Sequence, residues 1–219
     1  MNIAAILASG VGERFGSSIP KQFNKVCGKM VIEYVIDALK ASGAVDKIVI
    51  ATNTRENAKY FTEIAKSDII DIIDGGSTRN KTLKCVIDYI SASYDCSKLI
   101  VCDAVRPLIT GELIAKYYAE LDSVDAVVTA QKITDSLGCY NCRQINREDY
   151  YLMQSPEGFD FSLLAKFFDE NSQLTEVTQQ LPEGSKIKLS FDFTNNFKLT
   201  YPEDMAYLKV LIESKIING

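Results

Sequence analysis

The sequence has no histidine among its 219 residues. This absence excludes the Ser-His-Asp and Cys-His catalytic groups, and it removes the side chain that most often serves as a general base near neutral pH. It also leaves the cysteines without the histidines that complete many zinc sites. Any chemistry must therefore use carboxylates, lysine, arginine or a bound metal.

Long hydrophobic runs are missing as well. No stretch approaches the roughly 20 apolar residues that span a bilayer, and residues 1–8 lack the basic start and cleavage signal of a secretory leader. The net charge of −5 and the pI near 4.9 argue against a nucleic-acid partner, which requires a basic face. We expect a cytoplasmic protein with neither a membrane nor a nucleic acid as partner.

Linkers rich in proline, glycine or serine are also absent, and the chain is long enough for one sizeable α/β core. We expect one domain over residues 1–219. Cys139 and Cys142 have half of a zinc-ligand spacing, but no second pair accompanies them. Reduced thiols are favoured at all six cysteines, which are Cys27, Cys85, Cys96, Cys102, Cys139 and Cys142.

Short apolar runs alternate with amphipathic patterns along the chain. The predicted strands are 3–7, 48–51, 69–73, 99–102, 126–130, 187–190 and 197–199. The predicted helices are 31–39, 55–66, 82–90, 112–121, 159–168 and 202–217. Strands that are apolar throughout indicate a mostly parallel sheet with helices on both faces, so the predicted fold is a doubly wound α/β sandwich.

A polar, tyrosine-containing segment interrupts this alternation between about residues 132 and 152. It is too long and too aromatic for a simple connector in a compact domain. We interpret it as a protruding β-arm that packs on a second subunit, and a disordered loop is the alternative.

The loop after the first strand contains Ala8-Ser9-Gly10-Val11-Gly12-Glu13-Arg14 and is closed by Pro20-Lys21-Gln22. Glycine backbone can approach a polyphosphate without interference from a Cβ, while Arg14 and Lys21 supply positive charge. Neither of the common phosphate-loop patterns of kinases and dehydrogenases is present. The loop predicts a nucleoside triphosphate site, with a merely flexible loop as the alternative for the two glycines.

Two more polar loops follow predicted strands, at 74–79 and 103–107. In sheets of this type, ligands bind outside the carboxyl ends of the strands. We expect all three loops to meet at one cleft.

Five motifs in order resemble the cytidylyltransferases of the IspD/TarI type. They are Ala8-Ser9-Gly10-x-Gly12-x-Arg14, Pro20-Lys21-Gln22, Gly75-Gly76-x-x-Arg79-x-x-Thr82, Asp103-Ala104-x-Arg106-Pro107 and Asn196-x-Lys198-x-Thr200-x-Pro202-Glu203-Asp204. The resemblance covers residues 2 to about 211. It implies attack by the phosphate of a polyol phosphate on the α-phosphorus of CTP, which releases pyrophosphate and needs no general base.

The resemblance also implies roles for individual residues. Arg14, Lys21 and Lys198 would be catalytic, and Asp103 would hold Mg²⁺. The nucleotide would contact Ala8, Ser9, Gly10, Gly12, Gly75, Gly76, Arg79, Thr82, Asp103 and Ala104.

On the acceptor side, the resemblance implies contacts to the polyol phosphate from Arg106, Ser136, Arg147 and Ser155, with Gln154 also near the hydroxyls. Arg147 would come from the arm of the neighbouring subunit, so catalysis would require a homodimer.

Three positions depart from the family pattern. Gln154-Ser155-Pro156-Glu157 stands where methylerythritol enzymes usually have Thr-Pro-Gln, and Asn195 and Ser77 each stand where Asp is common. Two of these departures touch the acceptor side. We therefore favour ribitol 5-phosphate or a related precursor of surface glycans over 2-C-methyl-D-erythritol 4-phosphate of isoprenoid synthesis.

Two other hypotheses remain open at this point. A sugar-1-phosphate nucleotidyltransferase shares the glycine-rich loop and the lysine, and it would prefer UTP or dTTP. A nucleotide-binding protein without turnover would have no need for Arg14, Lys21, Asp103 and Lys198 together.

Overall fold

A seven-stranded sheet forms the centre of the computed structural model, which describes residues 1–10, 12–141, 144–174 and 176–214. Its strands are β1 (Asn2–Leu7), β4 (Lys47–Thr52), β5 (Ile70–Asp74), β6 (Lys98–Asp103), β7 (Ala126–Lys132), β8 (Tyr151–Asp160) and β9 (Ile187–Ser190). A small antiparallel pair consists of β2 (Lys25–Val26) and β3 (Lys29–Met30). The helices are α1 (Val31–Ala41), α2 (Thr54–Asn57), α3 (Arg79–Ser93), α4 (Gly111–Glu120), α5 (Phe161–Phe167) and α6 (Asp204–Glu213).

The strand order in the sheet is β5-β4-β1-β6-β8-β7-β9. Pairing is parallel throughout, except that β8 runs antiparallel to both β6 and β7. The predicted mostly parallel α/β sheet is therefore confirmed. Leu7 pairs with Asp103 across β1 and β6, so the loops that follow these two strands begin side by side.

Helices cover both faces of the sheet. In β1, Ala4 and Ile6 belong to an apolar cluster with α1 and α4, whereas Ile3 and Ala5 belong to one with α3 and α5. Alternate residues of a strand point to opposite faces, which explains why a fully buried strand is apolar at every position.

The start of α3 is set by Thr78, whose side chain accepts a hydrogen bond from the backbone N–H of Lys81. The helix consequently begins at Arg79 rather than at the predicted residue 82. This places Arg79 in the first turn, beside the carboxyl end of β5.

The predicted helix 55–66 is wrong. Only α2 is α-helical there, and two short 3-10 turns follow at Ala58–Tyr60 and Ile64–Lys66. Tyr60 and Phe61 both pack against Phe23, with ring centroids 4.3 and 5.4 Å away. Adjacent residues of an α-helix diverge by about 100°, so this shared contact disfavours a regular helix.

Two further predictions about secondary structure need correction. The helix predicted at 159–168 begins at Phe161, because β8 occupies the preceding residues. The sequence did not predict this strand, because it contains Pro156 and Glu157 and proline is unusual in a strand that lies between two others. Residues 197–199 form no strand, although the N–H of Leu199 donates to the carbonyl of Val105 at 3.0 Å.

The segment predicted as a β-arm leaves the sheet as a hairpin whose paired strands end at Lys132 and Tyr151. Within the described residues from 133 to 150 there is no strand, only bends, irregular backbone and the 3-10 turn Arg147–Asp149. In the described residues, the β-structure of the arm is thus confined to the paired ends of β7 and β8, and its contact with a second subunit stays a prediction.

The cysteines do not all match the expectation of reduced thiols. Cys27, Cys85, Cys96 and Cys102 are free, whereas Cys139 is disulfide-bonded. Cys142 lies outside the described residues.

Within the described ranges, every helix is too short or too polar to cross a membrane.

Candidate active site

A cleft of about 330 Å³ opens at the carboxyl ends of β1, β5 and β6. We call it the polycationic cleft. Its lining residues are Leu7, Ala8, Ser9, Gly10, Arg14, Lys21, Gln22, Gly76, Ser77, Thr78, Arg79, Thr82, Asp103, Ala104, Val105 and Lys198. The three polar loops therefore meet at one site, as their positions after parallel strands predicted.

The first loop is held by a residue that sequence reasoning did not assign to the site. Gln22 is buried, and its side-chain amide donates to the carbonyls of Ala8 and Gly10 at 2.7 and 3.1 Å. Gly12 has a φ of +72°, a conformation that favours glycine. Lys21 passes beside Gly12, so the loop folds back toward the cleft.

The glycines of the second loop are closely packed, and at Gly76 the neighbour is backbone. A Cβ on Gly75 would lie 1.8 Å from Ser9 Oγ, and one on Gly76 would lie 2.6 Å from the backbone carbon of Lys81. The hydroxyl of Thr82, which is buried, donates to the carbonyl of Gly76 at 3.1 Å. These contacts bring the start of α3 against the first loop.

Besides Arg79, three cationic side chains line the cleft. They are Arg14, which is exposed, Lys21, which is half-buried, and Lys198. Burial lowers the pKa of Lys21, and the charges of Lys198 and Arg14 lower it further. Such mutual repulsion is relieved when a polyanion binds between the cations.

Asp103 is the carboxylate at the centre of the site. Its Oδ2 lies 2.9 Å from Lys198 Nζ and 3.5 Å from Arg106 Nε, and its Oδ1 lies 3.9 Å from Arg79 Nε. Burial alone would raise its pKa, but Lys198, Arg79 and Arg106 outweigh burial and lower it. Asp103 is therefore ionised at neutral pH.

Ser155 lies beneath the site and not in it. It is 3% exposed, and its Oγ accepts the backbone N–H of Asp103 at 2.7 Å. Its carbonyl accepts the side-chain amide of Asn196 at 2.7 Å. The predicted contact between Ser155 and the acceptor is not supported by this placement, because the hydroxyl already holds the backbone of Asp103.

Glu157 follows in the same strand, next to a register shift between β7 and β8. Irregularities of this kind often redirect a side chain at a functional site. Glu157 is 3% exposed and forms an ion pair with Arg79. Burial raises its pKa to about 7, against the opposing effect of Arg79.

A second, polar pocket of about 350 Å³ adjoins the polycationic cleft. We call it the amide pocket. It is lined by Arg106, Gln131, Gln154, Thr194, Asn195, Asn196, Phe197, Lys198, Tyr207 and Leu211. Lys198 therefore lines both the cleft and the pocket.

Several buried atoms of the amide pocket have unused hydrogen-bonding capacity. Gln154 donates to the side-chain oxygen of Gln131 at 2.7 Å, while its own oxygen has no partner among the described residues. The side-chain oxygen of Asn196 is also buried and has no hydrogen-bond partner among the described residues. Arg106 is 7% exposed and donates from Nη1 to the carbonyl of Asn196 at 2.7 Å.

Ser136 and Arg147 lie apart from both cavities of their own chain. Both are exposed, and Arg147 donates to the carbonyl of Thr134 at 2.7 Å and pairs with Glu148 at 3.0 Å. A single chain therefore does not bring these two predicted acceptor residues to the site.

A divalent cation at this site would have the carboxylate of Asp103 as a ligand. Across the described ranges, His, Cys, Asp and Glu side chains form no group of three suited to a metal. Mg²⁺ commonly uses only one or two carboxylates together with substrate phosphates. The single carboxylate of Asp103, beside a cleft suited to a polyphosphate, fits that mode of binding.

The fold and the cleft define an α/β protein with a cationic, glycine-lined site for a polyphosphate. The model of the family IspD, 2-C-methyl-D-erythritol 4-phosphate cytidylyltransferase, matches residues 2–214. The chain belongs to this family.

Individual relatives carry two different names. A 2-C-methyl-D-erythritol 4-phosphate cytidylyltransferase of Caldicellulosiruptor saccharolyticus is 34% identical, over 96% of each chain. The bifunctional ribulose 5-phosphate reductase/CDP-ribitol pyrophosphorylase Bcs1 of Haemophilus influenzae is 31% identical over 98% of this chain. This chain spans 48% of the length of that second relative.

The crystal structure of 4-diphosphocytidyl-2C-methyl-D-erythritol synthase from Anaerococcus prevotii has the same fold. Its TM-score is 0.80 at 22% identity, over 97% of this chain and 98% of that one. The family, the α/β fold and the enzyme class predicted from the motifs are thus confirmed, and the chain is a cytidylyltransferase, a CTP-dependent nucleotidyltransferase.

Glu157 should make the stability of the protein depend on pH. Its pKa is raised from 4.5 to about 7, so the folded protein binds this proton more tightly than the unfolded chain does. The free energy of unfolding should therefore fall as pH rises from about 4.5 to about 7. Urea unfolding measures this free energy for Glu157→Gln and for the unsubstituted protein. The difference between the two should shift in favour of Glu157→Gln as pH rises from about 4.5 to about 7, and it should stay constant at higher pH. A difference that does not vary with pH would contradict this assignment.

Proposed function

We propose that the protein transfers the CMP group of CTP to the phosphate of a polyol phosphate, giving a CDP-polyol and pyrophosphate. The observation that carries this proposal is the position of Lys198, which lines both the polycationic cleft and the amide pocket. A triphosphate in the cleft and an acceptor phosphate at the mouth of the pocket would meet at this ammonium group. That is the arrangement needed for transfer between them.

The nucleotide would occupy the polycationic cleft. Ala8, Ser9 and Gly10 offer backbone at close range, and Gly10 has no atom within 4 Å of where a Cβ would stand. Cytosine would lie near Gly76 and Thr82, where the backbone leaves little room for a purine. Arg14 and Lys21 would bind the triphosphate.

Asp103 would hold Mg²⁺ together with phosphate oxygens of the nucleotide. When bound, the cation would neutralise charge that develops on the phosphates during transfer.

In the reaction, an oxygen of the acceptor phosphate forms a bond to the α-phosphorus of CTP, and the bond from that phosphorus to the oxygen bridging to the β-phosphate breaks. The electron pair leaves on pyrophosphate, whose charge Arg14 and Lys21 would stabilise. Lys198 and Arg106 would orient the acceptor phosphate. An ionised phosphate is already nucleophilic, so the lack of histidine is no obstacle.

The acceptor would extend from Lys198 into the amide pocket. Polyol hydroxyls donate and accept hydrogen bonds, and the amides of Gln131, Gln154 and Asn195 do the same. This lining supports ribitol 5-phosphate or a related polyol phosphate, and the relative named as a CDP-ribitol pyrophosphorylase supports it too. Ser136 and Arg147 of a second subunit would complete the site in a homodimer.

The alternative acceptor is 2-C-methyl-D-erythritol 4-phosphate. The matching family model and the relatives from Thermotoga neapolitana and Caldicellulosiruptor saccharolyticus carry its name. The amide groups of the pocket offer the methyl group of this acceptor no favourable contact. Phe197 and Leu211, which also line the pocket, could give it an apolar one.

Pyrophosphate release with CTP and Mg²⁺ tests the function directly. We expect turnover with ribitol 5-phosphate, weaker turnover with 2-C-methyl-D-erythritol 4-phosphate, and none with sugar 1-phosphates. A preference for 2-C-methyl-D-erythritol 4-phosphate would reassign the acceptor to isoprenoid synthesis. A preference for UTP with a sugar 1-phosphate, or CTP binding without any turnover, would contradict the proposed reaction.

Lys21→Ala should lower kcat by about 100-fold or more, because one preorganised charge at the leaving group is lost. Its thermal unfolding should stay close to that of the unsubstituted protein, since the side chain is only half-buried. Lys25→Ala is the control, because Lys25 is exposed on β2 and lies outside the lining of both cavities. Near-normal turnover of Lys21→Ala would remove Lys21 from the transition state.

Gln154→Leu should lower kcat/KM for ribitol 5-phosphate roughly tenfold through the loss of hydrogen bonds to a hydroxyl. The KM for CTP should stay unchanged, because Gln154 lies outside the polycationic cleft. Gln179→Leu serves as the control, since Gln179 is exposed in another part of the fold. An equal loss with glycerol 3-phosphate, which has fewer hydroxyls, would argue against recognition of the polyol chain.

A further inference from the structure

Asp103 lines the polycationic cleft, Glu157 is buried outside its lining, and the two carboxylates share one arginine. Asp103 ends β6, and Glu157 lies on the neighbouring strand β8, where it pairs with Val101. Arg79, in the first turn of α3, lies between them. Its Nη2 forms the ion pair with Glu157 Oε1, while its Nε stays 3.9 Å from Asp103 Oδ1.

The two oxygens of Asp103 have different surroundings. Oδ2 is the oxygen nearer to Lys198, at 2.9 Å, and to Arg106, at 3.5 Å, whereas Oδ1 is the oxygen nearer to Arg79, at 3.9 Å. Oδ1 is thus the oxygen that lies farther from the two closest cations.

The pair with Glu157 explains why Arg79 does not close on Oδ1. A guanidinium forms its strongest contacts with a carboxylate that it can reach directly, and buried charges require such a partner. Glu157, with 4% of its side chain exposed, supplies that partner from strand β8. Without its charge, the carboxylate of Asp103 would be the nearest remaining anion for Arg79.

We propose that Glu157 is a positioning residue that holds Arg79 away from Asp103 and so keeps Oδ1 of Asp103 available to a divalent cation bound with the nucleotide. This inference rests on the proposed function for the identity of the nucleotide and the cation. It adds a role for a residue that touches neither of them. Glu157 acts through Arg79 alone.

The test measures CTP affinity by calorimetry at pH 8, once with Mg²⁺ and once with EDTA. The ratio of the two dissociation constants reports how much the cation strengthens binding. In Glu157→Gln this ratio should fall roughly tenfold, as is typical when an outer partner of a metal ligand is removed. Binding without metal should be equal or tighter, because a negative charge near the cleft is gone.

A lower ratio together with equal or tighter binding of CTP in EDTA distinguishes a positioning role from damage to the fold. A general structural defect would weaken binding with and without metal alike, and that result would overturn the proposal. An unchanged ratio would overturn it too. Glu120→Gln is the matched control, since Glu120 has 12% of its side chain exposed, pairs with Lys188 at 2.8 Å and lies outside the polycationic cleft.

Arg79→Gln supplies a second variant in case Glu157→Gln does not fold. Because Arg79 lines the cleft, this variant should bind CTP more weakly with and without metal. No guanidinium of Arg79 remains to close on Oδ1 of Asp103, so the ratio of the two dissociation constants should stay at or above that of the unsubstituted protein. Adding Glu157→Gln to Arg79→Gln should cause no further change, because the two residues act as one unit. A fall in the ratio in Arg79→Gln, or a further fall in the double variant, would overturn the proposal.

The unsubstituted protein distinguishes the two levels of inference. If it binds no CTP, the proposed function fails and the role of Glu157 fails with it. If it binds CTP and Mg²⁺ strengthens binding, the nucleotide site stands whatever the variants show. If Mg²⁺ has no effect on its affinity, only the role of Glu157 is overturned.

Discussion

The site depends on the charge of Asp103. Lys198 and Arg106 approach one of its oxygens and Arg79 the other, and these three cations come from three separate parts of the chain. Burial opposes the ionised form, yet the cations outweigh it. Because an unpaired buried charge is strongly destabilising, each partner constrains the others. The carboxylate thereby ties the end of β6 to the start of α3 and to the segment before α6.

Hydrogen bonds from neighbouring segments hold the backbone of Asp103 and its cationic partners in place. The hydroxyl of Ser155 binds the backbone N–H of Asp103, and the carbonyl of Ser155 binds Asn196. Asn196 in turn accepts Arg106 at its carbonyl. These contacts form a continuous chain of hydrogen bonds that connects β8, the end of β6 and the segment before α6. The polycationic cleft and the amide pocket are thus both supported by Ser155 of β8.

The asymmetry between the two cavities fits the proposed transfer of CMP. The polycationic cleft is lined by glycines and by Arg14, Lys21 and Lys198, as suits a triphosphate, whereas the amide pocket also has neutral amide groups, of which Gln154 and Gln131 are hydrogen-bonded to each other. Charge attracts phosphates of any nucleotide or acceptor. Neutral donors and acceptors distinguish one hydroxyl pattern from another, since leaving such groups unpaired is costly. Under the proposed function, the amide pocket and the segment that a second subunit would contribute would distinguish one polyol phosphate from another.

The sequence by itself determined the mostly parallel sheet, the convergence of its polar loops and the family, because each depends on local patterns that survive without knowledge of contacts. Apolar runs identify strands, glycines mark places where backbones approach closely, and loops after parallel strands must share an edge. Only the tertiary structure decided the antiparallel insertion of β8, the burial of Ser155 and the pairing of Arg79 with Glu157. These depend on register between strands that are distant in the chain. A displacement of one residue would turn each side chain of β8 to the opposite face, and no local pattern containing Pro156 specifies which face Glu157 takes.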